Sequence, residues 1–119
     1  MTAPAGSEYR RTPRRQVAGV IEVVDAMTGQ RLGRVGNLSD SGMLLIAGAP
    51  VVEDALYQLR FALPADAPGA APRALELGAH LLWSAAANAP GQVWAGLRFI
   101  ALDEAQARAL REWVRAPAG

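Results

Sequence analysis

The chain has no cysteine, no lysine and a single histidine among its 119 residues. Without cysteine there is no disulfide, no thiolate nucleophile and no thiolate metal ligand, and His80 alone cannot assemble a zinc set. Long apolar runs are missing too: nowhere do about 18 apolar residues follow one another, the length a membrane-spanning helix needs. The stretch from Met1 to Tyr9 is polar and lacks the apolar core of a secretory signal. The expectation is a cytoplasmic protein with no membrane span. The means for catalysis are equally thin. There is no Ser/His/Asp set and no glycine-rich phosphate loop ahead of a helix, and Asp25, Glu53, Asp54 and Asp66 are scattered through turns. The inventory predicts no enzyme and no cofactor.

Present instead is apolar bulk, 51% of the chain, enough for one core and too little for two domains. The formal net charge is only +1, but all the side-chain cations outside His80 are arginines, and they are unevenly placed. Arg10-Arg11-Thr12-Pro13-Arg14-Arg15 packs four of them into six positions, a density that repels itself until something anionic arrives. Residues 1–16 therefore read as a flexible N-terminal tail and 17–116 as the folded domain.

From Val17 onward the texture is that of short strands between turn residues. Val17 to Asp25 reads as a first strand, with Thr28-Gly29 turning the chain into a second from Arg31 to Gly36. Gly42 to Ala47, Ala55 to Leu63, Ala74 to Ser84 and Gln92 to Ala101 read as the third to sixth. Period two assigns faces: Leu75, Leu77, Ala79, Leu81 and Trp83 share one side of the fifth strand. Val93, Ala95, Leu97 and Phe99 share the core side of the sixth, with Trp94 and Arg98 opposite. Pro64 to Arg73, rich in proline and alanine, reads as a long hairpin loop. Asp103 followed by Gln106 is a variant capping box opening a helix over 104–115, in which Ala109, Leu110, Trp113 and Val114 form one apolar stripe. The prediction is a mainly β fold, a six-stranded antiparallel barrel with a C-terminal α-helix.

Two clusters carry chemistry. Arginine's planar fork matches two phosphate oxygens, or N7 and O6 of guanine, bidentately, and a spacing of four brings two guanidiniums onto one ligand from different sides. Arg10 with Arg14 and Arg11 with Arg15 both satisfy that spacing. The second cluster is Asn37-Leu38-Ser39-Asp40-Ser41-Gly42, whose residue types favour a turn. Within it Ser39 offers a hydroxyl, and Gly42 offers a backbone free of Cβ and able to take positive φ, so that N–H groups can approach a ligand.

Together the clusters resemble the PilZ family, whose members carry R-x-x-x-R ahead of the first strand and [D/N]-x-S-x-x-G between the second and third. Gly96-Leu97-Arg98-Phe99 is similar to a Gly-x-x-Phe common near the family's last strand, so the resemblance spans residues 8 to about 101. It implies a PilZ-type barrel and binding of the bacterial second messenger cyclic di-GMP. It implies ligand contacts at Arg10, Arg11, Arg14, Arg15, Asn37, Ser39 and Gly42. The family's usual proline before the second arginine favours Arg10 and Arg14 as the primary pair. Most members have Asp where Asn37 stands; its carboxylate accepts from both N1–H and N2–H of guanine, whereas Asn37 either accepts at one oxygen or spans O6 and N1–H. Trp83, Trp94 and Arg98 are secondary candidates, Trp83 weighing more as packing than as a stacking platform. Trp113 reads as core and His80 as a plain surface histidine.

The leading function is thus a non-enzymatic cyclic di-GMP receptor that changes its surface to regulate a partner protein, with motility, exopolysaccharide or pilus output. One alternative is a protein-interaction module of the same fold without ligand binding. The other, a small-barrel nucleic-acid binder, needs a basic stripe across the barrel, where beyond the tail only Arg31, Arg34, Arg60, Arg73 and Arg98 are available, without interleaved aromatics.

Overall fold

The computed structural model of the chain describes residues 13–17, 19–65 and 69–116. They form strands β1 (Arg14–Gln16), β2 (Glu22–Asp25), β3 (Arg31–Ser39), β4 (Gly42–Ala47), β5 (Leu56–Leu63), β6 (Arg73–Ala86) and β7 (Val93–Ile100), followed by helix α1 (Glu104–Arg115). All the pairings are antiparallel and run β3-β2-β5-β6-β7-β4 and back to β3, a closed barrel of six strands with β1 added beside β3. The fold is the mainly β barrel with a C-terminal helix that the strand pattern predicts. Among the described residues no helix is long and apolar enough to cross a membrane.

Local chemistry explains several boundaries. Asp25 closes the first hairpin: its carboxylate accepts from the Met27 N–H at 2.9 Å and its carbonyl from the Gly29 N–H at 2.7 Å. Gly29 sits at φ +80°, which only glycine adopts cheaply. The barrel interior is filled by Val23, Leu38, Met43, Leu45, Leu59 and Leu81, all fully buried, and each inward side chain alternates with an outward one. Asp103 accepts from the Gln106 N–H at 2.7 Å while the Gln106 side chain accepts from the Asp103 N–H, completing the capping box, a feature that contributes on the order of 1 kcal/mol. Gln106 also donates to the Glu76 carbonyl at 2.6 Å, which ties the start of α1 to β6. The expected stripe of Ala109, Leu110, Trp113 and Val114 is buried.

Three features depart from the sequence pattern. The strand expected over 17–25 is split: residues 14–16, placed in the tail, pair with β3 as β1, and the chain re-enters the sheet only at Glu22. The second strand does not stop at Gly36 but continues to Ser39, because a register shift at Gly36 keeps both Val35 and Leu38 inward and β1 and β4 flank the extension. Pairing on both sides overrides the turn preference of Asn37 and Ser39, leaving only Asp40 and Ser41 as the turn. Finally, β6 carries one residue more than β7 between the pairs Leu81↔Leu97 and Trp83↔Gly96. This bulge at Leu82 moves Trp83 off the core face shared by Leu75, Leu77, Ala79 and Leu81 and turns it outward. In the loop between β5 and β6, residues 66–68 lie outside the described part.

Candidate functional site

The register of β1 on β3 is Arg14↔Ser39, Arg15↔Leu38 and Gln16↔Asn37. Paired residues share a face, so Arg14, Gln16, Asn37 and Ser39 project from one side of the sheet, and Arg15 projects with Leu38 from the other. The neighbouring pairs extend the outward face across the barrel wall: Asn37↔Leu44 and Leu44↔Gly96, then Gly96↔Trp83; Gly42↔Arg98, then Arg98↔His80. Two clusters more than twenty residues apart in sequence thereby meet on one surface.

That surface is concave. A depression of about 340 Å³ is lined by Arg14, Ser39, Ser41, Gly42, Leu82 and Arg98. A second, of about 320 Å³, adjoins it through Arg14 and Leu82 and is walled by Leu44, Trp83 and Gly96. Both lie within the size range of small-ligand sites. The first offers two arginines and hydroxyls, the second an aromatic ring over apolar ground.

Each residue's position has a local cause. Ser39 is 2% exposed, and its hydroxyl accepts from the Gly42 N–H at 3.0 Å and the Ser41 N–H at 3.2 Å. It therefore shapes the tight turn at Asp40-Ser41 from inside, and its oxygen contacts the Gly42 carbonyl and the Ser41 hydroxyl at 3.3 Å. Gly42 does not use positive φ, which belongs among the described glycines to Gly29, Gly69 and Gly91. Its lack of a side chain serves another end: a Cβ there would strike the Leu97 carbonyl oxygen, so glycine permits β4 and β7 to pair closely beneath the site. Asn37 is half-buried, and its Oδ1 is a buried acceptor with no hydrogen-bond partner among the described residues, an arrangement that is costly unless a donor arrives.

The two outward tryptophans both lie against glycines. The Trp83 indole occupies the space that a Cβ on Gly96 would fill and remains 45% exposed. Trp94 is half-buried, and a Cβ on Gly36 would sit 3.4 Å from its ring. Trp83 does not lie on the core face as expected: the bulge at Leu82 makes it the more open of the two rings, beside Arg14 and Leu82. Trp94 and Arg98 face outward as expected. Arg98 lines the first depression with Arg14, whereas Trp94 lies further along the wall, paired with Ile46 and Ala85.

Arg15 is directed away from this surface. Its guanidinium stands 3.9 Å from the centre of the Trp113 ring, and its Nη1 donates to the Trp113 carbonyl at 2.7 Å, near the C-terminus of α1 where a cation is favoured. Arg10 and Arg11 lie outside the described residues. His80 is no plain surface residue: its Nε2 is 2.7 Å from Asp54 Oδ1. Nor is Glu53 an idle turn residue, since its carboxylate accepts from both the N–H and the hydroxyl of Ser84 at 2.7 and 2.8 Å. Sequence reasoning missed both, because the partners are 26 and 31 residues away and no local pattern links them.

A family model for the PilZ domain matches residues 8–116. No curated protein sequence matches the chain. Among solved structures, the inhibitor of motility MotI/DgrA of Bacillus subtilis superposes with a TM-score of 0.70 at 15% identity, over 88% of this chain and 49% of its own. YcgR of Escherichia coli in complex with c-di-GMP superposes with a TM-score of 0.67 at 17% identity, over 87% of this chain and 43% of its own. The isolated PilZ domain of YcgR with c-di-GMP gives 0.64 at 15% identity, over 88% of each chain. The chain thus spans about half the length of the first two, and the likeness is one of fold.

Proposed function

The chain belongs to the PilZ domain family, and from that premise we propose that it is a receptor for cyclic di-GMP, without chemistry of its own, that passes the ligand's presence to a partner protein. The observation that carries the reading is the register Arg14↔Ser39, which brings Arg14 of the first cluster to Ser39, Ser41 and Gly42 of the second around one depression. A dianionic ligand with guanine bases needs forked cations for its phosphates, a donor or acceptor for a base edge and a flat apolar surface for stacking.

In this reading Arg14, with Arg10 four residues earlier, binds phosphate or the Hoogsteen edge of guanine, and Arg98 adds charge from the opposite wall. Arg11 takes a supporting part in the same cluster. The unpartnered Oδ1 of Asn37 accepts from guanine N1–H. Ser39 and Gly42 act chiefly by shaping the turn, with Ser41 the more accessible hydroxyl at the rim. Trp83 is the stacking platform and Trp94 a rim residue. Arg15, engaged with Trp113, links the ligand-facing strand to α1, the element through which β1 reaches the rest of the surface.

Calorimetric titration of the full chain with cyclic di-GMP tests the receptor reading. A saturable exotherm that is lost with cyclic di-AMP supports it; no heat and no shift in melting temperature at saturating ligand would leave a PilZ-fold interaction module as the better description. The output pathway is then sought by capturing proteins that bind only in the presence of the ligand.

A further inference from the structure

The platform assigned to Trp83 depends on a bulge, and a bulge leaves backbone groups in need of partners. On the side of β6 away from β7, strand β5 stops at Leu56↔His80, short of Trp83. Residues 53–55 take over from there. The Leu81 N–H donates to the Ala55 carbonyl at 3.0 Å, and the Asp54 N–H donates to the Leu81 carbonyl at 2.7 Å. Asp54 adopts φ +68°, a conformation uncommon outside glycine, while its carboxylate meets His80. Beyond Leu81 the backbone of β6 has no strand on this side, and there the Glu53 carboxylate holds Ser84 by two hydrogen bonds to one oxygen.

We propose that Glu53 is a positioning residue for Trp83: by holding Ser84, the next residue along β6, it fixes the direction in which the bulge presents the indole over Gly96. The ligand role of this device rests on the reading of Trp83 as the purine platform; the mechanical role does not. β6 is already paired with β7 as far as Ala86↔Val93, Ser84 included, so the two bonds to Glu53 are not needed to hold the strand in the sheet. Located one residue from Trp83, and opposite the irregular step in the ladder, they act where the bulge turns the Trp83 side chain outward. An indole held in place before the ligand arrives loses less freedom on binding, which is how a residue that never touches the ligand alters affinity.

The test uses the full chain labelled with fluorotryptophan and read by fluorine NMR, with the Trp83 signal assigned from Trp83→Phe. In Glu53→Ala the Trp83 signal should shift and broaden while that of buried Trp113 stays in place, and cyclic di-GMP should bind about threefold to tenfold more weakly. Glu53→Gln should recover most of both, since its amide oxygen still accepts from the Ser84 N–H. Ser84→Ala keeps the amide bond and loses only the hydroxyl, so it should move the Trp83 signal in the same direction by less. That milder variant decides the matter if Glu53→Ala fails to fold. A Trp83 signal unmoved in the folded variants overturns the proposal; a moved signal with unchanged affinity overturns its ligand role and leaves the mechanical one. If the wild-type chain binds no cyclic di-GMP, the receptor reading falls, whereas a Trp83 signal that responds to Glu53→Ala still upholds the hold of Glu53 on the indole.

Discussion

Arg14 and Arg15 are adjacent, identical in type and carried by the same three-residue strand, yet they face different worlds. One looks across a shallow depression at Arg98, with Ser39 and Gly42 at its side. The other lies over Trp113 and grips the end of α1. What separates them is the pleat of β1 and its pairing with β3, so which of the two lines the depression and which clasps the helix is a matter of parity rather than of residue chemistry. Spacing alone leaves the pairs Arg10/Arg14 and Arg11/Arg15 equal; the strand register puts Arg14 on the side of Ser39 and Arg15 on the side of Trp113.

The sharpest way to break this comparison is to remove each arginine in turn. Arg14→Ala should weaken cyclic di-GMP binding tenfold or more by calorimetry, because a charge-assisted hydrogen bond contributes about 1.5 to 3 kcal/mol, and should leave the melting temperature near that of the wild type. Arg15→Ala should do the reverse. Loss of the cation–π contact and of the bond to the Trp113 carbonyl should cost roughly 1 kcal/mol of stability, a fall in melting temperature of about 4 to 8 °C, with the smaller change in affinity. If Arg15→Ala abolishes binding at unchanged stability, the two faces have been assigned the wrong way round.

Salt sharpens the contrast further. Exposed cations that neutralise phosphates are screened, so raising ionic strength should weaken binding by the wild type and by Arg15→Ala alike, and distinctly less in Arg14→Ala. The smallest effect is expected at residue 37. Asn37→Asp should bind at least as tightly, within a few fold, since a carboxylate accepts from both N1–H and N2–H of guanine. Loss of binding in that variant, with the fold intact, would mean that Asn37 donates its amide to O6 or a phosphate; if Asn37 spans O6 and N1–H, an inosine-containing analogue, which lacks the N2 amino group, should bind the wild type nearly as well but Asn37→Asp more weakly.

Much of the fold was legible because its signals are local. Gly42 to Ala47 is an apolar run bounded by turn residues and is a strand over those same residues. Asp103 and Gln106 announce α1 by a box that closes within one helical turn. What escaped was decided at a distance. Asn37 and Ser39 have turn-forming side chains, but β1 on one side and β4 on the other hold them in β3. Trp83 falls on the core face by counting in twos, and one extra residue against β7 reverses its direction. The site was legible as a set of residue types, and the pairing of strands decided which members face the depression.

The six-membered ring of strands closes through β3 and β4 without any help from β1. The first half of β3 pairs with β2 and the last three residues with β1, so the two short strands occupy successive stretches of the same edge. In mechanical terms β1 is a latch on a finished drum: releasing it uncovers one face of Trp113 and removes the Arg15 clasp on the end of α1, but breaks no bond in the ring. A molecule built this way can let go of its first strand while the ring of six strands and the buried stripe of α1 stay in place.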